Sequence, residues 1–282
     1  MDYQVLAGWI VAGAFLLVYL SEYAGGRLQV SPRPMRDFAF TLVGILSHVT
    51  ISGALVGTAA GLIARQLWPE SAGALSSTVF WLAYPILFIS NEFMHYWLHR
   101  YAHEWRWLWK IHRTHHSAQQ LNTGVLYRYN VFWLMLIPHT WTGAIAVYLG
   151  LGGPFLAAIL TTFFVNLATH TSYRWDLYLR AKMPWSEPAW QILERVVTLP
   201  DAHHAHHAYG GDAHPNGNYA ISIFLFDVLF GTARTPNCRQ TQFGLPISPR
   251  LHWAEELLWP AVSKPLLPKP NKVDQDWSAT AD

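Results

Sequence analysis

Residues 129–173 read YNVFWLMLIPHTWTGAIAVYLGLGGPFLAAILTTFFVNLATHTSY, a stretch without one Asp, Glu, Lys or Arg. A helix rises 1.5 Å per residue and a bilayer's hydrocarbon core is ~30 Å thick, so about 20 residues make one crossing. The block is long enough for two, with Gly150-Leu151-Gly152-Gly153-Pro154 as the turn between them. Three other uncharged blocks precede it: Tyr3–Leu20, Phe38–Ala64 and Ser71–Asn91. Four such blocks in 282 residues leave too little chain to cover them in water. The expected fold is all-α, a multi-pass transmembrane helical bundle, and the same charge pattern orients it.

Composition agrees. Charged residues make up 13% of the chain, about half the roughly 25% of soluble domains, and hydrophobic residues 52%. Disordered and fibrous classes are excluded by that apolar content, and a disulfide scaffold by the single Cys238. A net charge of +2 gives no field for nucleic acid. Only Met1-Asp2 precede the first block, without the basic start of a cleaved signal, so it reads as a mature helix. Basic residues alternate between loops: Arg27, Arg33 and Arg36 after the first block, Arg65 alone after the second, then Arg100, Arg106, Lys110 and Arg113 after the third. By the positive-inside rule the N-terminus lies outside, and the 96–128 and 174–282 segments lie in the cytosol. Trp97, Trp105, Trp107 and Trp109 fall where the third block ends, as at a headgroup boundary. The chain divides into N-terminal membrane helices over 1–84, a central domain over 85–235 that includes the hairpin 129–173, and a C-terminal tail over 236–282. Together they form one structural unit, the tail marked as extended by Pro260, Pro265, Pro268 and Pro270.

Fifteen histidines stand against 17 acidic residues, and they are bunched. His95, His99 and His103 fall at i, i+4 and i+8, one stripe of a helix. His112, His115 and His116 share the spacing H-x-x-H-H with His203, His206 and His207. Imidazole is the commonest protein ligand for metals and suits zinc and iron. Packed without a cation, such rings would share the cost of lost hydration and repel when protonated. The groups can surround two metal ions in a cytosolic histidine-rich cap. His204 interrupts the repeat and reads as a bystander, and His95 as a neighbour of the ligands one turn nearer the bilayer. His48, His139, His214 and His252 read as ordinary structural or surface histidines. The zinc-protease pattern H-E-x-x-H fails after His103-Glu104, and Glu92-x-x-His95 lacks the twin a ferritin-like site needs. One cysteine excludes iron–sulfur clusters.

These motifs together resemble the fatty acid hydroxylase/sterol desaturase superfamily, membrane di-iron oxygenases with three histidine boxes. Box one, an acidic residue followed by Tyr-Trp and H-R-x-x-H, is Glu92, Tyr96-Trp97 and His99-Arg100-Tyr101-Ala102-His103. Box two is His112–Ser117, and box three holds His203, His206 and His207. The isolated histidine that precedes box three is matched by His170-Thr171. The later Asn-Tyr-Gly and Trp-Asp-x-x-Phe-Gly-Thr are echoed by Asn218-Tyr219-Ala220 and Phe226-Asp227-Val228-Leu229-Phe230-Gly231-Thr232. The resemblance covers roughly 85–235 and is nearest the alkylglycerol monooxygenase-type branch. Ser117-Ala118-Gln119-Gln120, Ala220 and Phe226 depart from the family pattern, which bears on the substrate rather than on the metals.

The resemblance implies two irons held by His99, His103, His112, His115, His116, His170, His203, His206 and His207. It implies hydroxylation or desaturation of a lipid-like substrate drawn from the bilayer, with O2 and two electrons. His95, Glu92, Asn218, Asp227 and Asp201 are the expected supports around the ligands. Arg100 and Arg113 are expected to steer a lipid headgroup or a redox partner. No flavin, haem or ferredoxin segment is visible, so a separate reductase, ferredoxin or cytochrome supplies the electrons, with a pterin as the further candidate of the nearest branch. The rival class is a membrane zinc-binding or zinc-transport protein. Transport would place ionisable groups deep in the spans, where only His48, His139 and His170 qualify. The expected location is a bacterial cytoplasmic membrane with the metal site on the cytosolic side. A protease site engineered into the 96–128 loop should be cut only from the cytosol; cleavage in intact cells from outside would reverse this topology.

Overall fold

A computed structural model describes residues 3–245 and 251–263. Its elements, in chain order, are α1 (Tyr3–Ala24), α2 (Pro34–Ser47), a π-helical segment (His48–Gly57), α3 (Thr58–Leu67), α4 (Phe80–Glu104) and α5 (Arg106–His116). They continue with α6 (Trp133–Leu136), α7 (Pro138–Tyr148), α8 (Gly152–His170), α9 (Trp175–Lys182), α10 (Glu187–Val196), α11 (Pro200–His207), α12 (Leu225–Leu229) and α13 (Trp253–Leu258). No strand forms among the described residues; the one β-type contact is an isolated bridge between Ala208 and Phe243.

Among the described residues three helices are long and apolar enough to cross a membrane: Val5–Ala24, the continuous rod Pro34–Leu67, and Gly152–His170. Large side chains stand outward on them, with Trp9 70% and Leu17 72% exposed, as lipid-facing residues would. Two expected crossings come out differently. The block 71–91 is interrupted, because α4 begins only at Phe80 and then runs on through Glu92, His95 and His99. The first arm of the 129–173 hairpin is broken at Pro138, which lacks an N–H and holds Ile137 extended (φ −60°, ψ 119°). The helix that Pro138 opens, α7, has 11 residues and is about 16 Å long, half a crossing. The second arm, α8, has 19 residues and is long enough alone. The turn between them closes at Gly150, whose φ of +90° suits glycine.

The membrane helices carry the cap on two polar anchors. Glu22, fully buried at the end of α1, accepts hydrogen bonds from the Thr123 and Ser172 backbone N–H groups at 2.9 and 2.5 Å and from the Thr171 hydroxyl at 2.9 Å. It thus ties α1 to the residue after His170. The second anchor lies on the other side. Arg128 donates to Asp37 at 2.6 Å and to Glu256 at 3.5 Å, while Arg36 pairs with Glu256 at 2.6 Å. Glu256 also takes a hydrogen bond from Ser117, and its backbone carbonyl one from Thr114. Arg113 pairs with Glu255 at 2.8 Å. The segment 251–259, expected as part of the tail, is therefore a folded strap across α5, with Trp259 in the core beside Ile111, Trp133 and Ile137. Arg113 is buried there, so the expectation that it steers a headgroup or partner is corrected: its charge is spent inside the protein. Pro265, Pro268 and Pro270 lie outside the described residues.

Close packing brings the rod against the cap at Gly44, where a Cβ would overlap the Tyr127 carbonyl. Burial pushes the Glu256 carboxyl up, while Arg128 and Arg36 pull it down. Removing one partner of such a buried pair leaves a charge unpaired and costs about 3–5 kcal/mol. Glu256→Ala should lower the thermal midpoint of the purified protein accordingly, whereas Glu104→Ala, on the exposed Arg100–Glu104 pair, should leave it nearly unchanged.

Candidate metal centre

Box one lies on the last turns of α4. The chain then bends at Trp105, which is extended (φ −100°, ψ 117°), and α5 folds back to bring box two opposite. His103 and His112 rings come within 5.1 Å of each other, and His99 and His112 within 4.7 Å. Box three lies on α11, started by Pro200, whose missing N–H costs nothing in a first turn. Asp201 in that turn pairs with Arg174 at 2.7 Å. α8 ends at His170, which faces His203 at 4.2 Å between ring centroids.

The nine histidines gather into two groups. His99, His103, His112, His116 and His206 form one, and His115, His170, His203 and His207 the other; within each, one ring nitrogen per residue lies within 4.8 Å of every other. All but His103 are buried, and no carboxylate belongs to either group. The groups abut, His116 stacking on His207 at 4.4 Å. Burial pushes His112, His115, His116, His203, His206 and His207 well below the ordinary imidazole value, and neighbouring imidazoles push them further the same way. The rings are therefore neutral, with lone pairs available to a cation.

Backbone carbonyls determine where those lone pairs point. His99 Nδ1–H donates to the Tyr219 carbonyl at 2.6 Å, His206 Nδ1–H to Gly217 at 2.7 Å, and His170 Nδ1–H to Asn166 at 2.9 Å. A carbonyl only accepts, so each of these rings carries its proton on Nδ1 and a bare lone pair on Nε2. Yet the Nε2 atoms of His99 and His206 stand 3.0 Å apart. Two lone pairs at that distance repel unless a cation lies between them. Nitrogens bound to one ion at 2.0–2.1 Å and about 90° apart would be separated by about 3 Å. The pairs His112–His116 and His170–His203 show the same spacing, each 3.1 Å between Nε2 atoms, and His115–His170 shows 3.3 Å. His103 Nε2 and His207 Nε2 are buried without a hydrogen-bond partner. The donor set fits metal ions bound through Nε2.

The surrounding residues act at one remove. Glu92, Asp201, Asn218 and Asp227 make no hydrogen bond to a histidine ring. Asp227 accepts from the Tyr219 and Ala220 N–H groups, both at 2.8 Å, and from Thr232 at 2.6 Å, fixing the segment whose carbonyl orients His99. Burial pushes its carboxyl up to about 6 against those three hydrogen bonds. Asn218, at φ +56°, bridges Ala202 and Arg234 backbone. Glu92 holds the Ser222 N–H at 2.8 Å and the Thr162 hydroxyl at 2.7 Å, joining α4 to α8. His95 lies outside both groups, 6.1 Å from His99 and 6.5 Å from Trp133 between centroids. His204 is turned away, its Nε2 3.1 Å from the Thr171 carbonyl. His214 Nε2 faces the Thr232 carbonyl at 3.2 Å, and His252 caps α13. The orienting carbonyls and the anchors Glu22, Glu255 and Glu256 were not among the sequence candidates: a carbonyl has no residue signature, and lone acids beside apolar blocks read as boundary residues. A cavity of about 360 Å³ reaches the cage from the cap side past His103, His116 and His207, between Arg106, Trp109 and Tyr209.

An all-helical, membrane-embedded frame carrying a dry cage of nine imidazoles defines a membrane metalloprotein. The fatty acid hydroxylase family pattern matches residues 84–232, more than half of the chain, and the chain belongs to that family. It is similar to an alkylglycerol monooxygenase of Danio rerio (25% identical over 65% of this chain and 37% of that one). It is also similar to the ornithine lipid hydroxylase OlsE of Rhizobium tropici (31% over 51% and 40%) and a methylsterol monooxygenase of Aspergillus fumigatus (32% over 55% and 48%). The chain spans less than half the length of these relatives. No solved structure matches it.

Loss of an orienting partner around a metal ligand costs about 10–100-fold in metal affinity. Asp227→Ala, which frees the segment around Tyr219, should weaken metal binding by that much in a chelator competition, while His204→Ala should leave it unchanged.

Proposed function

We propose that the protein is a membrane-bound di-iron oxygenase that hydroxylates or desaturates a C–H bond of a lipid-like substrate, using O2 and two electrons from a separate donor. The observation that carries this reading is the His99–His206 pair, two Nε2 lone pairs 3.0 Å apart in a cage without a carboxylate. His99, His103, His112, His116 and His206 would hold one iron, and His115, His170, His203 and His207 the other. Iron bound there supplies the capacity to accept electrons and activate O2.

The chain's own residues prepare that chemistry. Carbonyls of Tyr219, Gly217 and Asn166 hold the Nδ1 protons of three ligands and so keep Nε2 free. Trp133, 2% exposed and 4.4 Å from the His112 ring, and Tyr129, stacked on His115 at 5.6 Å, cover those two rings with aromatic surface, leaving the cap-side cavity as the approach. The cavity on the cap side gives O2 and reducing equivalents a route that does not cross the lipid. Relatives named as lipid and sterol oxygenases support the substrate class, and a reductase, ferredoxin, cytochrome or pterin is the donor class. The loop charges support a cytosolic cage. Zinc without redox chemistry fits the first group less well, since its five imidazoles exceed the four ligands of an ordinary zinc site.

The test is purification with metal analysis, O2 uptake with a reductant, and mass spectrometry of lipids from cells with and without the gene. Two irons per chain, reductant-dependent O2 uptake and a product one oxygen heavier or two hydrogens lighter are expected. His112→Ala, His115→Ala and His206→Ala should each abolish uptake and lower iron, while His252→Ala does neither. Zinc at full occupancy with no uptake would overturn the assignment.

A further inference from the structure

One pair of histidines is left over from the cage. His48 opens the π-helical segment and His139 lies in the first turn of α7, both within the apolar part of the molecule. Their rings face each other 6.3 Å apart, and His48 Nδ1 is buried without a hydrogen-bond partner. An ionisable side chain at membrane depth is costly and ordinarily marks a ligand or ion pathway. Neither ring contributes to the metal groups.

The pair lies at one end of a groove of about 690 Å³ between the π-helical segment, α3, α7 and α8. That volume is within the range of small-molecule sites. Gly53, Gly57 and Gly61 form its floor at four-residue spacing, and Val49 and Val147 at its rim are 65% and 52% exposed. From His48 to Gly61 the helix, π-helical over its first ten residues, runs about 15–20 Å, the reach of a fatty chain rather than of a headgroup. No Lys, Arg, Asp or Glu lines it, so a charged headgroup would find no counter-charge. Ser52 and Thr140, the nearest hydroxyls, are already bonded to Leu134 and to each other. At the histidine end the groove adjoins the wall of the cage: Ile51 of the π-helical segment packs in the same apolar cluster as Trp133, and Trp133 touches His112 and faces His95, which in turn faces His99.

We propose that this groove binds the substrate as a neutral long-chain lipid whose oxygen atom (alcohol, ether or amide) hydrogen-bonds to His48 and His139, with the hydrocarbon lying along Gly53, Gly57 and Gly61. The oxygenated end is then the end held nearest the cage. The proposal rests on the lipid-oxygenase reading above and adds the chemistry of the substrate and the residues that recognise it.

The experiment uses photolabelling of the full chain in phosphatidylcholine nanodiscs, with a long-chain alcohol and a hydrocarbon of equal length, both carrying a diazirine at the same carbon. The alcohol should label peptides containing residues 48–61 and 139–147 about 5- to 10-fold more than the hydrocarbon, the worth of one net hydrogen bond. His48→Leu combined with His139→Leu should erase that preference and keep the labelling. Gly57→Leu and Gly61→Leu should reduce labelling by both probes; a Cβ meets nothing nearer than 3.5 Å at Gly57 and nothing within 4 Å at Gly61, so the helix tolerates them. Iron content and thermal midpoint, unchanged in all variants, exclude misfolding. Equal labelling by the two probes, labelling elsewhere, or displacement by added phosphatidylcholine as effective as by unlabelled alcohol would each overturn the proposal. Groove labelling without reductant-dependent O2 uptake would sink the oxygenase reading alone, and uptake without groove labelling would sink this proposal alone.

Discussion

Nine neutral imidazoles in a dry interior are tolerable only if their lone pairs have a cation to face, and the architecture answers that requirement. Rings from four helices converge with ring nitrogens inward, and an outward Nδ1–H is best held by an acceptor, which three of the rings find while the Nδ1 atoms of His112 and His203 do not. Main-chain carbonyls fill that place for His99, His170 and His206. Using carbonyls rather than carboxylates leaves these rings neutral, so the cage presents lone pairs without bringing negative charge of its own. Carboxylates stand one layer further out, where Asp227 and Glu92 hold backbone instead of rings.

The membrane and the cage are not separate modules. α4 carries an apolar half and a metal-facing half, and α8 ends on a histidine of the second group. Glu22 connects the end of a third helix to the residues beside that histidine. The cage is therefore positioned by elements that are also long and apolar enough to stand in lipid.

Much of this was legible in sequence for identifiable reasons. The clustered histidines repeat at three- and four-residue spacing because a helix presents one face to the cage, and that periodicity survives in one dimension. His95 and His204 also stand outside the two groups of rings, the first set apart in the sequence by register and the second by interrupting a repeat. The membrane crossings were less legible. An uncharged block measures composition, whereas a crossing also needs unbroken helix, and Pro138 divides a block that no charge divides. Arg113 read as a surface charge because its partner, Glu255, lies 142 residues away. Long-range ion pairs leave no local pattern. The carbonyls at Tyr219, Gly217 and Asn166 leave none at all, since any residue supplies one.

The strap formed by α13 has a consequence for biogenesis. Box two is held by contacts from Glu255 and Glu256, groups synthesised long after it: the Thr114 contact closes a loop of 142 residues. Until that late segment has left the ribosome and docked, α5 lacks the bonds that seat its imidazoles. Seating of the box-two imidazoles is thereby coupled to a segment that follows them by about 140 residues, so a chain truncated before Glu255 would leave α5 without those bonds.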